Sequence, residues 1–122
     1  MSDSEITETI IGCAYSVANE LGFGFLEKVY EHSMMIAISE KNLKVENQVP
    51  ISVYYHEKNV GDYYADLLVD DKIIIELKSV KELSSIHKAQ LLNYLKATKK
   101  RIGLLINFGS SKVEVKRVIN GY

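Results

Sequence analysis

The chain has 122 residues, 47% of them hydrophobic and 25% charged, a composition that predicts one globular domain over residues 1–122 and excludes a disordered chain. No apolar run approaches the roughly 20 residues of a membrane span, the start MSDSEITETI lacks the basic region and apolar core of an export signal, and a single cysteine, Cys13, excludes an internal disulfide and a Cys-rich zinc site. The net charge of −1 divides into −8 over residues 1–80 and +7 over residues 81–122, so the C-terminal part is either a footprint for a polyanion or one half of a fold that neutralises itself.

Ser2 and Glu5 form a possible capping box ahead of a first helix, whose buried stripe is Ile6, Ile10, Ala14, Val17 and Leu21. Gly22 is a plausible stop. GFGF is a loop, and a second helix is predicted from about Phe25 to Lys41, burying Leu26, Tyr30, Met34, Ala37 and Ile38. The period then changes. Val49, Ile51, Val53 and Tyr55 alternate as a strand, and Pro50, the lone proline, marks an edge or a strand start. HEKNVG reads as a turn. Tyr63–Val69 and Ile73–Val80 are two further strands, apolar on both faces, which predicts a sheet covered on both sides. Ser84 or Ser85 caps a third helix carrying Ile86, Ala89, Leu91 or Leu92, and Leu95, and ending near Thr98. RIGLLINF is a short buried strand, and KVEVKRV an edge strand protected by its charges. The order is α-α-β-β-β-α-β-β, with no repeat and no linker.

Three charges, Asp66, Glu76 and Lys78, interrupt the two central apolar strands. Glu76 and Lys78 are two apart and share a face. Whether Asp66 joins them depends on register. A two-residue turn at Asp70-Asp71 pairs Asp66 with Ile75 and puts the carboxylates on opposite faces. A three-residue loop over Asp70, Asp71 and Lys72 pairs Asp66 with Glu76, their Cβ atoms about 4.5–5.5 Å apart. Two carboxylates that close repel, and a hard divalent cation between them reverses the repulsion. Mg²⁺ or Mn²⁺ suits such a pair, because Mg²⁺ typically takes one or two carboxylates and keeps waters for the rest. Lys78 is placed to orient a water or to stabilise charge on a phosphoryl group. The plain alternative is a polar edge on an ordinary hairpin, but burying three charges costs several kcal/mol unless they are used.

Gln90 and Tyr94 are four apart on one face of the third helix and fit a supporting role. Glu27, in the first turn of the second helix, either offsets the helix dipole or supplies a third acidic ligand. Lys81, Lys88, Lys96, Lys99, Lys100 and Arg101 are candidate contacts to a phosphate backbone, although Lys96 to Arg101 are equally placed to complement a helix C-terminus. Tyr54, Tyr55, Tyr63 and Tyr64 fit base stacking and ordinary strand preference equally well. His32, His56 and His87 read as surface residues, and Cys13 as a buried inert thiol.

Together these residues resemble the GxxExxY family of the PD-(D/E)XK nuclease superfamily. The naming motif is Gly24-Phe25-Leu26-Glu27-Lys28-Val29-Tyr30, the superfamily core is Asp66 followed by Glu76-Leu77-Lys78, and Gln90, Tyr94 and the strand GLLINFG complete the likeness from about Ile10 to Ile119. Ala65 stands where the superfamily carries proline, and Tyr64 where members of the smaller family often carry a basic residue. The resemblance implies an α/β, restriction-endonuclease-like core with a central mixed sheet flanked by helices. It implies Glu27, Asp66, Glu76 and Lys78 as the active set, with Glu27, Asp66 and Glu76 holding Mg²⁺ or Mn²⁺ and Gln90, Tyr94 and Tyr30 assisting. The expected activity is hydrolysis of phosphodiester bonds in nucleic acid, DNA foremost, in the cytoplasm and without a membrane partner. A homodimer would serve the cutting of two strands. The alternative is a nucleic-acid or protein binding module that retains the fold without turnover.

Overall fold

The computed structural model describes residues 1–121. Helices α1 (Asp3–Leu21) and α2 (Glu27–Ser39) are followed by strands β1 (Val45–Tyr55), β2 (Lys58–Val69) and β3 (Ile73–Lys78), helix α3 (Ser85–Thr98), and strands β4 (Ile102–Asn107) and β5 (Glu114–Ile119). The strands form one mixed sheet in the order β1-β2-β3-β4-β5. Only β3 and β4 run parallel, and α3 is the crossover that a parallel pair requires. This is the expected restriction-endonuclease-like arrangement in the expected element order.

Each face of the sheet carries a core. On one side α1 and α2 bring Ile6, Ile10, Tyr30, Met34 and Ile38 onto Leu67, Val69, Ile75, Leu77, Leu104 and Ile106. On the other, Leu91, Tyr94 and Leu95 of α3 meet Ile51, Ala65, Leu68, Ile74 and Leu105. The capping box at α1 forms in both directions, Ser2 N donating to Glu5 Oε1 at 3.0 Å and Glu5 N to Ser2 Oγ at 3.2 Å. Cys13 is buried in the first core.

Five expectations change, the first being Leu21, which ends α1 41% exposed and outside the predicted buried stripe. Helix α2 starts at Glu27 instead of Phe25, because Phe25 N donates to the Tyr30 hydroxyl and stays in the loop. Leu26 becomes an N-cap that is 81% exposed, outside the predicted stripe. The stretch HEKNVG contains only a two-residue turn, His56 and Glu57 with φ of 49° and 67°, and β2 begins at Lys58. A turn with both central residues left-handed matches the twist of the flanking strands, so Lys58 and Asn59 pair with Tyr55 and Tyr54. Ile86 is 77% exposed rather than packed on the sheet.

The β1–β2 ribbon exchanges faces along its length. Ala65 packs on the α3 side and Leu67 on the α1–α2 side, although a strand period of two would put them together. Val45 and Val49 of β1 divide in the same way. The exchange falls at Gln48 and Asp66, the position missing from an otherwise continuous pairing between Asn47–Leu67 and Val49–Ala65. Gln48 adopts φ of 49°, a left-handed value uncommon outside glycine. Asp66 therefore belongs to neither core.

Candidate active site

β2 and β3 pair at Leu67–Ile75, Leu68–Ile74 and Val69–Ile73, so the connection is the three-residue loop Asp70, Asp71 and Lys72. Asp70 and Asp71 have φ of 54° and 58°, which aspartate tolerates better than most residues. This register brings Asp66 opposite Glu76. There the backbone pairing ends and side chains replace it: Leu77 N donates to Asp66 Oδ2 at 2.8 Å, and Asp66 N donates to Glu76 Oε1 at 3.1 Å. Each carboxylate takes the place of a carbonyl on the neighbouring strand, and both are locked to the backbone.

Burial, and then the charge of Asp66, push the Glu76 carboxyl up to about 8, with the Asp66 N–H and Lys78 opposing. Burial also raises Asp66 against the pull of the Leu77 N–H, and the charges of Glu31 and Glu27 add to the rise while Lys78 opposes it. Both shifts run the same way, favouring a shared proton over two anions when no cation is present. Tyr94 lies close enough that Glu76 adds to the upward shift that burial gives its hydroxyl. Gln90 sits one turn before it, half-buried. The face shared by Glu76, Lys78, Gln90 and Tyr94 is thus the α3 side of the sheet.

Glu27 is exposed and reaches the site from its rim, where its Oε2 accepts from Ser79 N at 3.3 Å, one residue past Lys78. Among the described residues no three His, Cys, Asp or Glu side chains converge as one cage. The nucleus is the pair Asp66–Glu76. Tyr30 does not touch it. Its ring stacks on Phe108 at 4.2 Å, and its hydroxyl donates to Gly22 O at 2.8 Å and accepts from Phe25 N at 3.2 Å.

Three supporting residues escaped the sequence reading. Glu31 is buried, and its carboxylate gathers Asn47 Nδ2 at 3.1 Å, Gln48 Nε2 at 2.7 Å and Lys28 Nζ at 3.1 Å. Burial opposes its charge, but these donors hold it below the usual carboxylate range. Gln48 Nε2 also faces Asp66 Oδ1 at 3.4 Å, so Gln48 links the two carboxylates. The available signal for Glu31 was its position four residues after Glu27, on the same helix face. Asn107, fully buried, accepts from Val80 N and Gly109 N and donates to Val80 O and Glu114 Oε1, fixing the chain as it leaves Lys78. Gly109 permits this closeness, since a Cβ there would lie 2.1 Å from Val80 O. Replacing Glu31 by leucine removes the acceptor of the Asn47 amide and the nearer acceptor of Gln48 and should cost about 1 kcal/mol. Urea denaturation checks this, and an unchanged midpoint would mean that Gln48 is held by other groups.

The basic residues separate. Lys100 Nζ donates to Asp71 O at 2.8 Å and so braces the β2–β3 loop. Lys96 and Lys99 line a groove that also contains Gln90 and Tyr94. Lys81, Lys88 and Arg101 are exposed elsewhere. His87 accepts from Ser84 N at 3.1 Å and belongs to the start of α3. Among the described residues no helix is long and apolar enough to cross a membrane.

A family model for the PD-(D/E)XK nuclease superfamily matches residues 4–118. Among solved structures, that of SSO0001 superposes with a TM-score of 0.61 at 19% identity, over 98% of this chain and 60% of that one. A likeness at that identity shows the fold alone, and this chain spans only part of that protein's length. No curated relative matches the sequence. With the family match running through both strands of the acid pair and the helices on either side, the chain belongs to the PD-(D/E)XK nuclease superfamily.

Proposed function

We propose that the protein is a divalent-metal-dependent nuclease of the GxxExxY type that hydrolyses phosphodiester bonds, with DNA as the foremost substrate. One observation carries this reading: the β2–β3 register sets Asp66 against Glu76 in a buried position, with Lys78 beside them. Superfamily members usually employ divalent metals, and the donor set fits one. Two carboxylates that burial disfavours as anions are matched to a hard cation, and Glu76 Oε2 takes no protein donor among the described residues. Asp66 and Glu76 would hold the ion, and Glu27 at the rim would act on it at most through a water. A bound ion supplies Lewis acidity and an activated water.

The remaining work falls to the chain itself. Asp66 and Glu76 are oriented by the Leu77 and Asp66 N–H groups, so their geometry is set before substrate arrives. Lys78 offers positive charge where a phosphoryl oxygen gains negative charge. The GxxExxY spacing has a physical basis. Gly24 takes φ of 94° and donates to Phe108 O at 3.0 Å, Glu27 follows at the helix start, and Tyr30 ties the loop down from the next turn.

Purified protein incubated with single-stranded, duplex and branched DNA and with RNA, in Mg²⁺ or Mn²⁺, should cleave at least one of these. Cleavage should stop in EDTA and in Glu76→Ala. Cleavage that persists in that variant would overturn the proposal, and binding without cleavage would support a non-catalytic module instead.

A further inference from the structure

The groove beside the acid pair, about 930 Å³ in volume, runs between α3 and the far half of the β1–β2 ribbon. That is near the upper end of ordinary ligand pockets. Its walls combine aromatic, apolar and basic groups: Tyr54 and Tyr63 on the ribbon, Ile86 on α3, and Lys96 and Lys99 at the far end of α3. No Asp or Glu is among its described lining residues, in contrast to the acid cluster next to it. Tyr94 lines the groove and also feels the charges of Glu76 and Asp66, and Gln90 hydrogen-bonds to it, so the groove adjoins the acid pair through Tyr94.

Its aromatic wall is built rather than incidental. The Tyr63 and Tyr94 rings lie 5.7 Å apart at 44°. Tyr63 is 48% exposed, yet its ring lies along its own strand over Gly61, where an added Cβ would stand 3.2 Å from the ring. Two exposed apolar residues that the sequence predicted to be buried or turn-like, Ile86 and Val60, line this groove.

We infer that this groove takes a single strand of nucleic acid and delivers it to the acid pair, so that the protein selects unpaired over fully paired substrate. The inference rests on the nuclease reading of the site. Exposed tyrosine faces serve splayed bases, whose planes are free only in a single strand. Two lysines with no carboxylate beside them in the groove match a passing phosphate backbone. Within the basic tail this gives Lys96 and Lys99 a role that Lys100 does not share.

The test is fluorescence anisotropy with labelled oligothymidylate, alone or annealed to its complement, in EDTA so that binding is read without turnover. The single strand should bind more tightly than the duplex. Tyr63→Ala should weaken single-strand binding roughly tenfold, the range seen on losing one base–aromatic stack, while Tyr63→Phe keeps it. Lys96→Ala with Lys99→Ala should lower the slope of log affinity against log salt by about 0.7 for each phosphate no longer neutralised, and Lys112→Ala should not. Duplex bound as tightly as the single strand, or Tyr63→Ala binding like the wild type, would overturn the inference. Metal-dependent cleavage in the same preparations is scored separately, so a groove that fails to bind single strands leaves the hydrolytic site to stand or fall alone.

Discussion

Changing Glu76 to glutamine is expected to lower the cleavage rate by roughly 10³-fold or more, beyond the ~10–100-fold typical of losing an outer partner of a metal ligand. It should also raise the melting temperature of the metal-free protein. The two effects share one cause. Glu76 is buried opposite Asp66, and its anion is disfavoured enough to push its carboxyl up to about 8. Glutamine keeps the shape and can still accept from the Asp66 N–H, but it carries no charge. Between the ordinary value of 4.5 and about 8, folded Glu76 keeps a proton that the unfolded chain has released. The folded state binds more protons there, so the metal-free wild type loses stability as pH rises through that window. Glu76→Gln should flatten this slope. The gain at pH 8 should be several °C, since ~1 kcal/mol moves the midpoint of a domain of this size by about 4 °C. A variant no more stable than the wild type at pH 8 would mean that the pair is not strained. Paired thermal melts across pH decide the point.

The largest loss of stability is expected at Tyr30. Replacing it by alanine removes a fully buried ring stacked on Phe108 and should cost about 3–5 kcal/mol, a large part of the ~5–15 kcal/mol that holds a typical domain together. Tyr30→Phe is the sharper test. It keeps the packing but strips Gly22 O and Phe25 N of their partner, and should cost about 1–3 kcal/mol. Its consequence reaches the site, because Phe25 O also accepts from Ser79 Oγ at 2.6 Å and Glu27 follows two residues on. Loosening that loop should reduce activity without touching Asp66 or Glu76. Urea denaturation measures the first effect and the cleavage rate the second. A Tyr30→Phe protein with wild-type stability and rate would show that the loop is held by other groups.

The register of the acid pair was legible because strand geometry leaves few choices. Side chains alternate and a turn has a countable length, so the choice narrowed to a two-residue turn that separates Asp66 from Glu76 or a three-residue loop or bulge that joins them, and the observed pairing decides for the loop. The two-sided sheet was equally legible, since β2 and β3 are apolar at almost every position near their shared turn. What escaped depends on backbone conformations that no side-chain pattern encodes. Gln48 in a left-handed conformation lets the ribbon exchange faces, and only then do Glu31 and Asp66 share a neighbour. Lys58, Asn59 and Gly61 read as turn because those residue types are depleted in strands, yet pairing with β1 overrides that preference. Ile86 fits an apolar stripe on paper, but it lies in the first turn of α3 beside the open groove, so the sheet never covers it.

The proposed site depends on two carboxylates: on this reading Asp66 and Glu76 would share a proton when no metal is bound and give it up to a divalent cation. Calorimetric titration with Mn²⁺ at pH 7, in two buffers of different ionisation enthalpy, measures the ion and the proton at once. The predicted result is Mn²⁺ binding accompanied by proton release, lost in Asp66→Asn and in Glu76→Gln. Binding without proton release, or binding unchanged in both variants, would contradict it.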